Sequence, residues 1–260
     1  MAKETYPGKL IVFEGIDGSG KSTQSRLLIE RLKKNGYRIA TMDFPRHGHP
    51  SAYLVDKYLQ DRYKGAKQLS SWRVSIFYAC DRYDASFEIR KWLEDGKIVI
   101  IDRYVGSNMG HQGGKIEDKK KRKEFVQWLD DLEYKFFGIP KPDINIILKT
   151  SPKISQRLSG MITDKEKQSK KKAYLGNKKK DLHEKDIKHL EHALNSYLEV
   201  AKIYPNDFTV VECFEGDTML PPGIIHHRIW KVLEKKLGFK DGTKSKDGKP
   251  QEVHIFGERS

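Results

Sequence analysis

Residues 10–23 read LIVFEGIDGSGKST, from Leu10 to Thr23. The apolar run Leu10-Ile11-Val12-Phe13 predicts a buried parallel strand, and Ser22 to Lys34 has the spacing of a helix. Between them lies Gly15-x-x-x-x-Gly20-Lys21-Ser22. Strand, glycine loop and helix in that order are what a phosphate cradle requires. Gly15, Gly18 and Gly20 let the backbone turn its N–H groups inward around phosphate oxygens, with Ile16, Asp17 and Ser19 completing the loop. The helix N-terminus, with Thr23 in its first turn, adds partial positive charge. Lys21 is placed to reach the β- and γ-phosphates and the Ser22 hydroxyl to ligate Mg²⁺. The chain is therefore expected to bind a nucleoside triphosphate.

Working outward, the chain alternates strands and helices. Strands are predicted over Tyr37–Met42, Lys97–Ile101, Ile144–Leu148 and Phe208–Cys213. Helices are predicted over Ser51–Tyr63, Leu69–Leu93, Glu117–Phe137, from Ser151-Pro152 onward, Asp181–Ile203 and Gly223–Leu237. That alternation predicts an α/β fold, with a five-stranded parallel sheet flanked by helices on both faces. Ligands of such sheets bind beyond the carboxyl ends of the strands. With 260 residues, one domain over 1–240 is expected, followed by a charged, flexible tail over 241–260.

The formal net charge of +14 is concentrated in Lys115–Lys123, Lys165–Lys180 and the tail after Lys235. A basic surface attracts any anion. However, no nucleic-acid motif with interleaved aromatics accompanies it, so nucleic acid is not an expected partner. Met1–Lys9 is polar, and no apolar run approaches the roughly 20 residues that span a bilayer. No leader and no membrane partner are expected, and a cytoplasmic location is. Cys80 and Cys213 lack metal-ligand spacing and read as reduced, partly buried thiols.

Three further features carry chemistry. Asp102-Arg103 directly follows an apolar strand; a carboxylate there either holds Mg²⁺ through water or caps a loop. Asp17 lies inside the phosphate loop, where an acid repels phosphate. It implies a second substrate with a hydroxyl to hold, or help with the metal. Tyr78 and Arg82 stand at i and i+4 on one helix face. Together with Phe44-Pro45-Arg46 they form either a slot that stacks a base and reads its carbonyl edge, or a core aromatic beside a surface arginine.

In this order and at these intervals, FEGIDGSGKSTQ, FPRHG, FYACDR, DRYVGSN, GIPKPD and DLHE resemble the thymidylate kinase family, over roughly Lys9 to Leu237. The resemblance implies a three-layer P-loop kinase fold with a mobile lid over about 157–181, and a homodimer packed through helices. It implies transfer of phosphate from ATP to dTMP with Mg²⁺. Lys21, Arg103 and Asp17 would be catalytic, and Gly15 to Thr23 would hold ATP. Ser22, Asp102 and Asp17 would serve the metal. Asp17 would hold the sugar 3′-hydroxyl, and Arg103 would bind the dTMP 5′-phosphate. Tyr78 would stack on the base, Arg82 would donate to a thymine carbonyl, and Asn108 would lie against the ring. Phe44, Pro45, Arg46, Ser107, His111 and Gln112 would complete the acceptor site.

The phosphate loop carries no positive side chain before Lys21. The resemblance therefore points to the lysine-rich lid as a source of cations, with Lys178 and Lys180 reaching phosphate and Arg157 stacking on adenine. His111 stands where the family often has an aromatic beside the sugar. This departure bears on deoxyribose discrimination. Two alternative readings stay open: another P-loop kinase of nucleotides or deoxynucleosides, and a nucleotide-dependent switch or nucleic-acid-binding protein.

Overall fold

The computed structural model describes residues 5–63, 69–159 and 187–241. The lid residues Lys178 and Lys180, the start of the helix expected from Asp181, and the tail from 242 onward lie outside the described residues.

Five strands form one parallel sheet: β1 (Lys9–Glu14), β2 (Ile39–Asp43), β3 (Ile98–Asp102), β4 (Ile144–Lys149) and β5 (Phe208–Glu212). Their order is β2-β3-β1-β4-β5, so β1 is central. The chain winds to one side through β2 and β3, then to the other through β4 and β5. Such a reversal opens a crevice beyond the carboxyl ends of the central strands. Phe13 on β1 pairs with Asp102 on β3 and with Ile146 on β4, so the residues after Phe13 and Asp102 emerge together at that crevice.

The sheet is covered on both faces because its central strands are apolar on both sides. Leu10, Val12, Val99 and Ile101 pack against α3 (Ser71–Glu94), α4 (Lys119–Asp130) and α6 (Ile187–Ile203). Ile11, Phe13, Ile98 and Ile100 pack against α1 (Lys21–Lys34) and α7 (Pro222–Leu237). A smaller cluster of Val55, Tyr58, Leu59 and Val74 joins α2 (Tyr53–Leu59) to α3. Helix α5 (Pro152–Ser159) follows β4, as the Ser151-Pro152 start predicts.

The differences from the sequence reading are local. The helix expected over Ser51–Tyr63 is a 3₁₀ turn, Pro50–Ala52, followed by a shorter α2. The helix expected over Glu117–Phe137 is α helical only to Asp130. It widens into a π turn over Asp131–Phe136, which carries Glu133 into the core. A small hairpin, β6 (Phe214–Glu215) and β7 (Thr218–Met219), was not predicted, because two-residue strands show no periodicity. Both cysteines are free, but Cys80 is exposed rather than partly buried. Among the described residues no helix is long and apolar enough to cross a membrane.

Candidate active site

The phosphate loop leaves β1 at Gly15, whose φ of 135° lies in the region that favours glycine. A Cβ there would meet Leu148 O at 2.8 Å and Ser19 Oγ at 2.9 Å. The loop ends at Gly20, the N-cap of α1. Lys21, the first residue of that helix, folds back so that its ammonium donates to Gly15 O and Ile16 O, each at 3.0 Å. From α5 the Ser155 hydroxyl donates to the backbone carbonyl of Asp17 and braces the loop from outside.

Across from the loop, Arg103 follows β3 with a φ of 68°, a left-handed conformation costing a non-glycine residue ~1–2 kcal/mol. Strain of this kind is retained where a side chain must be aimed. Its guanidinium donates to Asp17 Oδ1, to Gly15 O at 3.3 Å, and to Ser107 Oγ at 3.4 Å. Nη1, the atom that faces Gly15 O and Ser107 Oγ, also lies 3.1 Å from His111 Nε2. Because a guanidinium can only donate, His111 Nε2 is an acceptor and Nδ1 carries the ring proton. Burial, then the adjacent Arg103 charge, pushes His111 well below the usual histidine range. Burial works against the Asp17 carboxylate too, but Arg103 and Lys21 outweigh it and hold that carboxyl below its ordinary range.

Arg103 stands at one end of a cavity of about 190 Å³. This is smaller than the roughly 300–1,000 Å³ of drug-sized sites, which suits one small ring with the rest of a ligand at the mouth. Phe44 and Pro45 after β2 form one wall, and Tyr78 and Arg82 on α3 form another. Ser107, Asn108, His111 and Gln112 come from the turn after β3, and Asp17 closes the phosphate-loop end. Of the acceptor residues expected from sequence, Arg46 alone is outside this lining. It is turned onto α3 instead, donating to Asp81 Oδ1 at 2.9 Å, Ser51 Oγ at 2.6 Å and Asp84 Oδ2 at 2.6 Å. Arg157 is exposed in the last turn of α5.

Glu14, Glu133 and His189 help organise the site but carried no role in the sequence reading. Glu14 is completely buried at the end of β1. Its Oε1 accepts from the backbone N–H groups of Tyr104 (2.8 Å) and Ser107 (3.0 Å), and its Oε2 from the hydroxyls of Ser107 (2.7 Å) and Tyr197 (3.0 Å). It thereby ties the phosphate-loop strand to the turn that carries Arg103. Desolvation pushes its carboxyl above the usual glutamate range in spite of these donors. Arg82 is 1% exposed, and its Nε and Nη2 are held by Glu133 at 2.5 and 2.7 Å. His189 lies behind His111, at 3.5 Å between Nε2 and Nδ1. An acid inside an apolar strand is the signal that could have flagged Glu14.

The Glu14 arrangement makes a direct prediction. In Glu14→Gln, one oxygen can still take both N–H groups while the amide faces two hydroxyls that can rotate to accept. A loss of about 1 kcal/mol is expected. Glu14→Ala orphans two buried backbone donors and should cost about 3 kcal/mol or more. Urea unfolding of both variants checks this; equal losses would contradict it.

The site also bears on a divalent cation. Asp102 Oδ1 and Ser19 Oγ are buried with no hydrogen-bond partner among the described residues. An unpartnered carboxylate oxygen beside a phosphate loop fits a hard, oxygen-seeking cation of the Mg²⁺ kind.

A parallel sheet of this order, a glycine loop entering α1, and an arginine joining that loop to a ring-sized cavity define a P-loop kinase of the α/β class. The sequence model of the thymidylate kinase family matches residues 13–213. The chain is 31% identical to a thymidylate kinase of Plasmodium falciparum over 159 residues, which is 61% of this chain and 70% of that one. It is 30% identical to a Mycobacterium tuberculosis thymidylate kinase over 146 residues, 56% of this chain and 68% of the other. In fold it superposes on a thymidylate kinase structure from Candida albicans with a TM-score of 0.64, at 23% identity, covering 89% of this chain and 93% of that one. The chain belongs to the thymidylate kinase family.

Proposed function

We propose that this chain transfers the terminal phosphoryl group of ATP to the 5′-phosphate of dTMP, giving ADP and dTDP. The observation that carries the reading is the position of Arg103, in contact with both the phosphate loop (Gly15 O) and the wall of the ring-sized cavity (His111). A cation there can steady the two phosphate groups that must meet, and such transfer depends mainly on positioning and electrostatics. In this reading Lys21 and the loop N–H groups from Gly15 to Thr23 hold ATP. Asp17 holds the sugar and, with Tyr78, Arg82, Asn108 and Phe44, seats the acceptor. Mg²⁺ would be held by Ser22 and, through water, by Asp102, where it would neutralise phosphate charge. The Asp17 oxygen facing Arg103 is already engaged, so its share in the metal is the smaller one.

A homodimer belongs to the same proposal. Ile76, Tyr83 and Phe87 are 42%, 43% and 60% exposed and, with Cys80, line one stripe of α3. An exposed apolar helix face of this kind among the described residues is what a helix-to-helix dimer covers. Sedimentation at the mass of one chain would refute it. The activity itself is tested by ADP release from ATP, with dTMP present and absent, in Mg²⁺ and in EDTA. Release that needs both dTMP and Mg²⁺ supports the reading; release indifferent to dTMP refutes it.

A further inference from the structure

The far wall of the cavity is a turn of unusual geometry. Val105–Ser107 is a single helical turn, Asn108–Gln112 a π turn, and Gly113–Lys115 a 3₁₀ turn. It is clamped onto α6: a Cβ on Gly114 would fall 2.7 Å from the His192 carbonyl carbon, and Ser196 Oγ donates to Met109 O at 2.7 Å. The backbone that carries Asn108 and Gln112 therefore has little room to shift.

The side chains of these two residues are fixed as well. Asn108 Nδ2 donates to Ser75 O at 3.2 Å, which assigns its Oδ1 as the atom left to face a ligand. Gln112 is oriented the opposite way. Lys115 Nζ lies 2.9 Å from Gln112 Oε1 and 2.7 Å from the Tyr58 hydroxyl. An ammonium has three donors and no acceptor, so the amide atom that faces it must be oxygen. That leaves Gln112 Nε2, in a residue lining the cavity and 2% exposed, with no partner among the described residues. One helix turn thus offers an acceptor at Asn108 and a donor at Gln112. This is the complement of an imide edge, in which an N–H adjoins a carbonyl.

We propose that Lys115, which does not line the cavity, is a positioning residue for base recognition: by holding Gln112 Oε1 it presents Gln112 Nε2 to a carbonyl oxygen of the acceptor base. The inference rests on the reading that the acceptor's base occupies this cavity. Without Lys115 the amide is free to turn over and offer its oxygen to the base carbonyl, an acceptor facing an acceptor. Burial has already brought the Lys115 ammonium down to about 8, a sign that this cation sits where solvent does little to hold it.

The test is steady-state kinetics with dTMP and ATP on the full chain, with thermal unfolding of each variant. Lys115→Met is expected to raise KM for dTMP about tenfold, the scale of one neutral hydrogen bond, with kcat within about twofold because the base is remote from the reacting phosphates. Lys115→Arg, which can also only donate, should restore KM. Gln112→Glu should raise both Tm and KM, since a carboxylate binds Lys115 more strongly and donates nothing to the base. A merely structural lysine moves KM and Tm together in the unfavourable direction. A folded Lys115→Met with wild-type KM overturns the inference, as does Gln112→Glu with wild-type KM. The second variant decides the matter should the first fail to fold. A wild-type chain that forms no ADP with dTMP overturns the functional reading instead, which is a separate result.

Discussion

Lys21→Ala is expected to lower kcat by roughly 10²–10³-fold while leaving the chain folded. Lys21 opens α1, only 7% exposed, with its ammonium held by the carbonyls of Gly15 and Ile16. Those two contacts pin the cation at the floor of the loop, where the transferring group must lie. Charge spreads over phosphoryl oxygens in the transition state, and a fixed cation there needs no reorganisation when it forms. The two carbonyls lie on a loop that also bonds Arg103 and Ser155, so the fold does not depend on the ammonium. Single-turnover rates and a thermal melt check both halves. A folded variant that keeps more than about a tenth of the wild-type rate would contradict the role.

The second large effect concerns Arg82. Arg82→Met removes the guanidinium from a completely buried Glu133 carboxylate. Breaking one side of such a pair costs ~3–5 kcal/mol, or roughly 6–20 °C in Tm for a domain of this size. Burial alone already pushes Glu133 above the ordinary glutamate range with Arg82 present. Without Arg82 the rise is larger, and the folded chain takes up a proton that the unfolded chain lacks near neutrality. A carboxyl raised in the fold favours folding most below its unfolded value, and that contribution is lost as pH rises through the folded value. The deficit should therefore be largest at pH 7–8 and shrink towards pH 5. Adding Glu133→Leu should recover most of the stability, since an apolar pair can replace a buried ionic one. It should not recover dTMP binding, because Arg82 lines the cavity. Melting curves of the three proteins from pH 5 to 8 decide this; a deficit that deepens towards pH 5 would contradict it.

The fold was legible because its signals are local and repeated. The apolar strand ahead of Gly15, the glycine loop and the Ser151-Pro152 helix start all lie where sequence places them. The sheet's central strands read as continuous apolar runs because helices cover both faces. What escaped were features made by tertiary contact. The π turn at Asp131–Phe136 has no period of its own and exists where Glu133 reaches Arg82. Arg46 was grouped with Phe44-Pro45 as an acceptor residue, but that Asp81, 35 positions away, orients its guanidinium is a tertiary contact that spacing does not show. Glu14 was inside the quoted motif, but its four donors come from Tyr104, Ser107 and Tyr197, which sequence spacing does not connect to it. Lys115 sat in a run of charges that reads as a solvated face, yet Tyr58 of α2 and Gln112 hold its ammonium, which spacing does not reveal.

The central claim is that a cavity framed by Tyr78, Arg82 and Asn108 beside a phosphate loop makes this chain a kinase of one pyrimidine nucleotide. The most direct measurement is ADP release with product identification across dTMP, dUMP, AMP and GMP, against a control with no acceptor. The account predicts dTDP formation as the fastest reaction, with dUMP next by the ~1–3 kcal/mol that one methyl group is worth in an apolar pocket. Purine nucleotides should stay at the background of the control, since the cavity suits one small ring. Efficient turnover of AMP or GMP, or ADP release that ignores dTMP, would contradict it.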